Sequence, residues 1–119
     1  MTSNLYHYAA TVIDVYNGNT CMLDIDLGFC TWLRNERVQL NRIHAPELTG
    51  AEKKKGIASR NFLKKLLLKK KVTVETIKNL HGKGGRYVVE MWVVGKTGVR
   101  LNVNDLLVEK GYAIYRHYR

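Results

Sequence analysis

The first forty residues alternate between hydrophobic and polar positions with the period of β-strands. Residues 6–15 are rich in aromatic and β-branched side chains, and the odd positions of Cys21–Leu27 are all apolar. This spacing is typical of half-buried strands, and a third strand is predicted at Thr31–Leu40. The pair Asn17 and Gly18 predicts a tight turn because both residues tolerate positive φ. The pattern therefore predicts three consecutive antiparallel strands.

Over residues 51–71 the hydrophobic period changes to that of an amphipathic helix. Apolar side chains recur there at steps of three and four residues, as on the buried stripe of a helix. The members of this apolar stripe are Ala58, Phe62, Leu63, Leu66 and Leu67. The other face is basic, and we name its residues the basic segment: Lys53, Lys54, Lys55, Arg60, Lys64, Lys65, Lys69, Lys70 and Lys71.

Further strands and a second helix are predicted after residue 71. The predicted strands are Val72–Ile77, Arg86–Val94 and Val99–Val103. Asn104 is expected to cap the N-terminus of a helix over Asp105–Lys110, and Gly111 is expected to end that helix.

The order of these elements predicts the fold class. Without the short strand Val99–Val103, the order is three strands, a helix, two strands and a helix (β-β-β-α-β-β-α), which is the order of an α+β fold with a five-stranded OB-type β-barrel and two helices. At 119 residues the sequence predicts a single domain, 1–119. A chain of this size buries about two-thirds of its surface, which is enough for one core without disulfides or metals.

Charge points to an anionic partner. Twenty Lys and Arg against ten Asp and Glu give a net charge of +10, and nine of the twenty lie in the basic segment. Clustered basic residues most often contact nucleic acid. We therefore expect nucleic acid or a small nucleotide as the partner.

Neither a membrane span nor a secretion signal is recognisable in the sequence. No apolar run approaches the roughly 18 residues that a membrane helix needs, and the first ten residues lack a basic-then-apolar pattern. We expect a cytoplasmic protein with no membrane partner. A disulfide between Cys21 and Cys30 stays open across the predicted hairpin, but reduced core thiols are the expectation in the cytosol.

Three short segments resemble, in order and spacing, the active-site segments of staphylococcal-nuclease-like domains. They are Tyr16–Thr20, Gln39–Glu47 and Gly85–Tyr87, and residues 103–113 are similar to the family's second helix and its exit. The resemblance covers residues 8–118. It implies a thermonuclease-type OB-fold that lacks the third, C-terminal helix of longer relatives, and it implies phosphodiester chemistry.

The resemblance also implies that the catalytic site is degenerate. Asn19 and His44 stand where metal-binding carboxylates are usual, and Gln39 stands in place of one of two phosphate-clamping arginines. Glu47 matches the glutamate that orients the catalytic water, and Arg86 matches the other arginine. Hard divalent cations need several oxygen ligands, so no cofactor is expected unless the nuclease function survives, in which case a divalent cation is implied.

Two replacements for the missing groups stay open. A softer ion such as zinc or manganese would suit a nitrogen ligand better than calcium or magnesium does. Its ligands would come from His44, Glu47, Asp14 and His7. Arg37 or Arg42 would supply the charge that Gln39 lacks, although strand alternation points Arg42 to the opposite face.

Phosphate- and base-binding side chains are implied near the last of the three segments and in the tail. They are Arg86, Lys83, Tyr112, Tyr115, His117 and Tyr118. The glycine-rich loop 82–85 also offers backbone N–H groups for an anion nest. Stacking on aromatic rings contributes about 1–3 kcal/mol per base, although half of these rings are expected in the core or under a helix.

Three functions stay open at this point. The first is a binding module that holds nucleic acid or a small, linear or cyclic nucleotide with little or no hydrolysis. The second is a metal-dependent nuclease (DNA or RNA phosphodiesterase) with substituted metal ligands. The third is a protein-interaction module whose basic segment faces an acidic partner.

Overall fold

A computed structural model describes residues 5–81 and 85–116, with the backbone alone for residues 78–81. The helices are α1, Lys53–Leu67, which follows a 3-10 turn at Gly50–Glu52, and α2, Val103–Glu109. The strands are β1 (His7–Asn17), β2 (Thr20–Gly28), β3 (Thr31–Leu40), β4 (Ile43–His44), β5 (Lys71–His81), β6 (Tyr87–Val94), β7 (Arg100–Asn102) and β8 (Ile114–Tyr115). Across the described ranges, no helix is both long enough and apolar enough to cross a membrane.

Five strands close into a barrel through one parallel contact. β2 pairs with β1 and β3, and β5 pairs with β1 and β6, all antiparallel. β3 then pairs with β6 in parallel, with residues 38–40 opposite residues 87–89, and β7 adds to β6 outside the barrel. The predicted α+β fold, an OB-type barrel of five strands with two helices, is confirmed. The predicted bounds of β5 were too short, because the strand continues to His81.

Aliphatic side chains from all five strands fill the barrel. Fully buried examples are Val12 of β1, Leu23 of β2, Leu40 of β3, Val74 of β5 and Met91 of β6. α1 adds Leu63 and Leu67, and α2 adds Leu107. The period-two pattern of β2 is confirmed for Cys21, Leu23 and Ile25, which point into this core, whereas Leu27 near the end of the strand is exposed.

α1 is shorter than the predicted helix 51–71, and four of the five residues of its predicted apolar stripe are buried or pack on the core. It ends at Leu67, because Leu68 has an extended backbone and Lys69 has a positive φ of 63°. The buried residues of α1 are Gly56, Ser59, Leu63 and Leu67. Ala58, predicted on the apolar stripe, is exposed. Residues one position apart differ by about 100° around a helix, so small Ser59 faces the barrel and Ala58 does not.

α2 begins earlier than predicted and has a different cap. Asn104 does not cap it: the side chain of Asn102 accepts a hydrogen bond from the N–H of Asp105 at 2.9 Å. Asn104 is fully buried inside the first turn, where its amide joins α2 to the barrel. Its Oδ1 accepts from the N–H of Met91, and its Nδ2 donates to the carbonyls of Asn41 and Val89, over 2.9–3.1 Å. The predicted stop at Gly111 is confirmed, with a φ of 83°.

Both cysteines are free, so the open disulfide between them does not form. Cys21 is fully buried in β2, and burial raises the pKa of its thiol to about 12. Cys30 is exposed at the tip of the β2–β3 hairpin. Of the two thiols expected in the core, only that of Cys21 lies there.

Candidate functional site

The segments predicted to form the site meet around Gln39. In β3, Gln39 lies between Thr20 of β2 and Val88 of β6. The carbonyl of Asn19 accepts a hydrogen bond, 2.8 Å long, from the N–H of the residue after Gln39. β6 begins directly after Arg86. Barrel closure thus brings the first, second and third segments to one edge.

The turn between β1 and β2 packs tightly because of Gly18. The turn is where the sequence predicts it, but neither Asn17 nor Gly18 has a positive φ, so the predicted reason for the glycine is wrong. A Cβ on Gly18 would lie 2.7 Å from the Cβ of Ala45 and 2.9 Å from the Cβ of Ser59. Glycine is therefore required by space, and its absence of a side chain lets the turn contact the second segment and α1.

The loop that carries Glu47 is held against α1 in the same way. A Cβ on Gly56 would clash with the backbone of Glu47 and come within 3.0 Å of the carbonyl oxygen of Pro46. The N–H of Glu47 donates to Oε1 of Glu52 at 3.4 Å, while its own side chain is exposed. The carboxylate of Glu47 therefore points to solvent from a backbone that α1 fixes.

The two cation positions carry neutral or nitrogen-bearing side chains in defined environments. Asn19 is 8% exposed, and its Oδ1 accepts a hydrogen bond from the hydroxyl of Thr20 at 3.3 Å. His44 is half-buried in β4. One neutral oxygen and one imidazole nitrogen are poor ligands for calcium or magnesium.

The zinc or manganese alternative needs a third ligand that the fold does not bring in. Within the part of the chain that the structure describes, no group of three His, Cys, Asp or Glu side chains is placed to hold a metal ion. His7 stacks on Trp92, with ring centroids 5.7 Å apart. Asp14 accepts a hydrogen bond from the N–H of Val15. Neither His7 nor Asp14 is therefore placed to complete a metal site with His44 and Glu47.

Arg42 lies between β3 and β4, where two carboxylates hold its guanidinium. Its guanidinium donates two hydrogen bonds to the carboxylate of Glu90, at 2.8 and 2.9 Å, and one to Asp105 at 2.9 Å. The hydroxyl of Tyr115 donates to the same carboxylate of Asp105 at 3.0 Å. Hydrogen bonding to Arg42 lowers the pKa of Asp105, and hydrogen bonding to Asp105 raises the pKa of Tyr115. Arg42 therefore does not replace the charge missing at Gln39. It lies in the turn after β3, with a positive φ of 68°, so its contacts rather than strand alternation set the direction of its side chain.

The remaining arginines differ in their availability for a phosphate. Arg37 is exposed, and its guanidinium lies 4.1 Å from the ring centre of Tyr16. Gln39 is 5% exposed, so the position of the missing arginine is closed as well as neutral. Arg86 is half-buried. Among residues 5–81 and 85–116, neither Arg86 nor Glu47 takes part in an ion pair. Among the described residues, neither Arg37 nor Arg86 has its charge neutralised by a carboxylate.

The described tail residues pack partly on the protein itself. Tyr112 stacks on Phe62 of α1, with ring centroids 4.4 Å apart, and its carbonyl accepts a hydrogen bond from the hydroxyl of Ser59. Tyr115 pairs with Ile43 through the β8–β4 ladder. The ring of Tyr112 thus covers α1, as expected for part of the tail, whereas Tyr115 is 56% exposed. Lys83, His117, Tyr118 and the proposed nest at 82–84 lie outside the described residues.

A cleft of about 190 Å³ opens beside His44 and Tyr112. Pro46, Glu52 and Lys55 form part of its wall. Typical ligand pockets hold roughly 300–1,000 Å³, so this cleft fits part of a ligand rather than a whole drug-sized molecule. Sequence reasoning missed Lys55 as a site residue. The signal was its position beside Gly56, the residue that brings α1 against the Glu47 loop.

The closed barrel and its three converging segments define a nuclease-like, nucleic-acid-binding type of fold. The protein belongs to the staphylococcal nuclease family: the model of the family described as staphylococcal nuclease homologue matches residues 37–119. No curated protein matches the chain.

Proposed function

We propose that this protein binds nucleic acid or a nucleotide at the barrel edge where the three segments meet, and that it has little or no hydrolytic activity. The observation that carries the proposal is the chemistry of three positions at this edge, none of which holds a carboxylate or a guanidinium, together with the burial of two of them. Asn19 and Gln39 are buried, and His44 offers nitrogen. The glycine contacts that hold the edge together, at Gly18 and Gly56, are present.

Hydrolysis of a phosphodiester needs more charge than these residues supply. A divalent cation must neutralise the phosphate, and positive donors must stabilise the charge that develops on its oxygens. Loss of one such donor lowers kcat by about 100- to 1,000-fold in hydrolases that use them. With both anionic metal ligands and one arginine replaced, the remaining Glu47 has no metal-activated water to orient.

Binding of a phosphate needs positive donors but no metal-activated water, and such donors are present. Arg86 carries a charge that no described carboxylate neutralises, and guanidinium groups bind phosphate in a bidentate manner. The protein as a whole carries a net charge of +10, which attracts polyanions.

The first test measures binding and cleavage together. A labelled single-stranded oligonucleotide, as DNA and as RNA, is incubated with the protein in chelator and in calcium, magnesium, manganese or zinc. We expect binding in chelator and an uncut oligonucleotide in every metal. Arg86→Ala should weaken binding by about 10- to 100-fold, the value of a charged hydrogen bond. Arg34→Ala, which removes an exposed arginine paired with Asp24, is the matched control and should bind normally.

Cleavage by the unmodified protein that needs a metal and disappears in Glu47→Gln would replace this proposal with the nuclease function. Absence of binding to either polymer, and to a nucleoside 5′-phosphate, would refute it altogether.

A gain-of-function variant tests the reason for the missing activity. The triple substitution Asn19→Asp, Gln39→Arg and His44→Asp returns two carboxylates and one guanidinium to the edge. We expect calcium-dependent cleavage in this variant, and loss of that cleavage when Glu47→Gln is added. Folding is checked by circular dichroism, because position 39 is buried. A folded triple variant that binds calcium and still does not cut would show that the substitutions alone do not explain inactivity.

A further inference from the structure

The basic segment forms an unneutralised surface along α1 and its exit. All eight of its lysines are exposed, and Arg60 is half-buried. Among the described residues, none of the nine forms an ion pair with a carboxylate. The only acidic residue between positions 51 and 71 is Glu52. The surface therefore keeps its full positive charge in the folded protein.

The lysines of α1 repeat at a spacing that puts them in rows. Lys54 and Lys65 are eleven residues apart, which is three helical turns and about 16 Å on the same side of the helix. Lys53 and Lys64 have the same spacing on the neighbouring row. Exposed Ala58 lies between Lys54 and Lys65 on the same side of the helix. Because its side chain is short, an extended polymer can approach the helix closely there.

The stability of α1 does not explain the lysines at its start. A helix N-terminus carries partial positive charge and favours acidic side chains in the first turn. α1 has Glu52 at its N-cap, but the Glu52 side chain makes no capping hydrogen bond, and the first turn holds Lys53, Lys54 and Lys55 with no acidic residue. These charges oppose the helix dipole, so a role with an external anion accounts for them better than helix formation does.

The far end of the surface is fixed to the barrel. The N–H of Lys69 donates to the carbonyl of Val12 at 2.7 Å, and the N–H of Val12 donates to the carbonyl of Lys70 at 3.0 Å. Lys69 also adopts a positive φ that favours glycine. The lysines beyond α1 therefore project from a backbone that is held in place rather than from a loose loop.

The near end of the surface adjoins the candidate site. Lys55 lines the same cleft as His44, and the next residue, Gly56, packs on the backbone of Glu47. From Gly56, α1 continues for eleven residues, about 16 Å, to Leu67. One strand of B-form nucleic acid presents a phosphate about every 3.4 Å, so this length faces several consecutive phosphates.

We propose that α1 and its exit continue the candidate site as a track for the phosphodiester backbone, so that the ligand is a nucleic-acid polymer rather than a free nucleotide. This inference rests on the proposed function. The contacts are to phosphates and carry no base specificity. A membrane surface is the poorer fit, because Leu63 and Leu67, from the apolar face of α1, are buried in the barrel core.

The test compares ligand lengths in matched charge variants. Binding of a nucleoside 5′-phosphate and of single-stranded 4-, 8- and 16-mers, and of a 16-base-pair duplex, is measured by fluorescence anisotropy over a range of salt. Lys54→Gln/Lys65→Gln removes one row. Lys96→Gln/Lys110→Gln removes two exposed lysines outside the basic segment. Glutamine keeps helix propensity close to that of lysine, and circular dichroism checks the fold.

We expect affinity to rise with length up to the 8-mer or beyond. Lys54→Gln/Lys65→Gln should weaken 16-mer binding at least tenfold, and should lower the slope of log K against log salt by about 1.4–1.8, or 0.7–0.9 for each lost phosphate contact. The single strand and the duplex show which form the track holds. The control pair should leave both quantities unchanged, and binding of the nucleoside 5′-phosphate should be the same in all three proteins.

Unchanged 16-mer binding in Lys54→Gln/Lys65→Gln, with binding still lost in Arg86→Ala, would overturn the track and leave the proposed function standing. Normal 16-mer binding in Arg86→Ala would instead refute the proposed site. Equal affinity for a poly-glutamate peptide of matching charge would overturn the assignment to nucleic acid in favour of an acidic protein partner.

Discussion

Gly18 and Gly56 are required by the space around them rather than by their backbone torsion angles. Neither has a positive φ. Each removes a side chain where another segment passes: Ala45 and α1 beside Gly18, and the backbone of Glu47 beside Gly56. A glycine inside a helix is unfavourable by about 0.5–1 kcal/mol relative to alanine, so Gly56 carries a stability cost that the contact with the Glu47 loop offsets.

Replacement of this glycine should reverse the usual effect of alanine in a helix. We expect Gly56→Ala to lower the free energy of unfolding by about 1–2 kcal/mol, because the overpacking penalty of about 1–3 kcal/mol exceeds the gain in helix propensity. Urea denaturation measures the change. Gly95→Ala is the control: its Cβ would meet the nearest atom, on Leu101, at 3.4 Å, and stability should stay within about 0.5 kcal/mol. A stabilised Gly56→Ala would contradict the close approach.

At the scale of elements, α2 shows two asparagines with different duties. Asn102 caps the helix by accepting a hydrogen bond from the N–H of Asp105, and its Nδ2 donates to Oε1 of Glu90 at 3.2 Å. Asn104, two residues later, serves three backbone groups of other segments from a fully buried position. The loss of a cap exposes one N–H to water, whereas the loss of Asn104 leaves buried groups without partners.

The two substitutions should therefore differ in severity. We expect Asn102→Ala to lower the free energy of unfolding by about 1 kcal/mol, as for other caps. Asn104→Ala should lower it by about 3–5 kcal/mol, since each unsatisfied buried group costs about 1–3 kcal/mol. Chemical denaturation of both variants under one buffer gives the comparison. Equal losses would mean that solvent or a rearranged side chain satisfies the groups around position 104.

At the scale of the whole molecule, the reactivity of the two thiols reports whether the barrel opens. Cys21 is buried in β2, between β1 and β3, and is 0% exposed, whereas Cys30 is exposed. A thiol reacts as its thiolate, and burial both excludes reagent from Cys21 and raises the pKa of its thiol to about 12.

We expect a thiol reagent to modify one cysteine of the native protein quickly and the second only as the barrel opens. In Cys30→Ser, modification at neutral pH should be slow and should accelerate with urea in parallel with global unfolding. Mass spectrometry gives the number of modified thiols with time. Rapid native-state labelling of Cys30→Ser would show that β2 separates from its neighbours without unfolding of the barrel.

Local patterns predicted most of the elements because they depend on neighbouring residues. Period-two alternation located β2, and the aromatic and β-branched run before it located β1. Side-chain partners depend on contacts between residues that are far apart in the sequence, which a local pattern does not include. Arg42 meets Asp105 across 63 residues, and the cap of α2 was misplaced because Asn104 is used by β6 instead. The boundary of α1 was missed because Lys69 turns to bond with β1.

The sequence by itself determined the residue types at the site, the clustered positive charge and the order of strands and helices. It therefore determined that Asn19 and Gln39 are neutral amides and that His44 is an imidazole, since these side chains keep their chemistry on folding. Only the tertiary structure decided where each group lies. The parallel contact of β3 with β6 closes the edge around Gln39, Arg42 is taken up by Glu90, and Gly56 sets the start of α1 beside Glu47. These outcomes depend on contacts between distant residues, whose geometry is fixed by packing of the whole barrel.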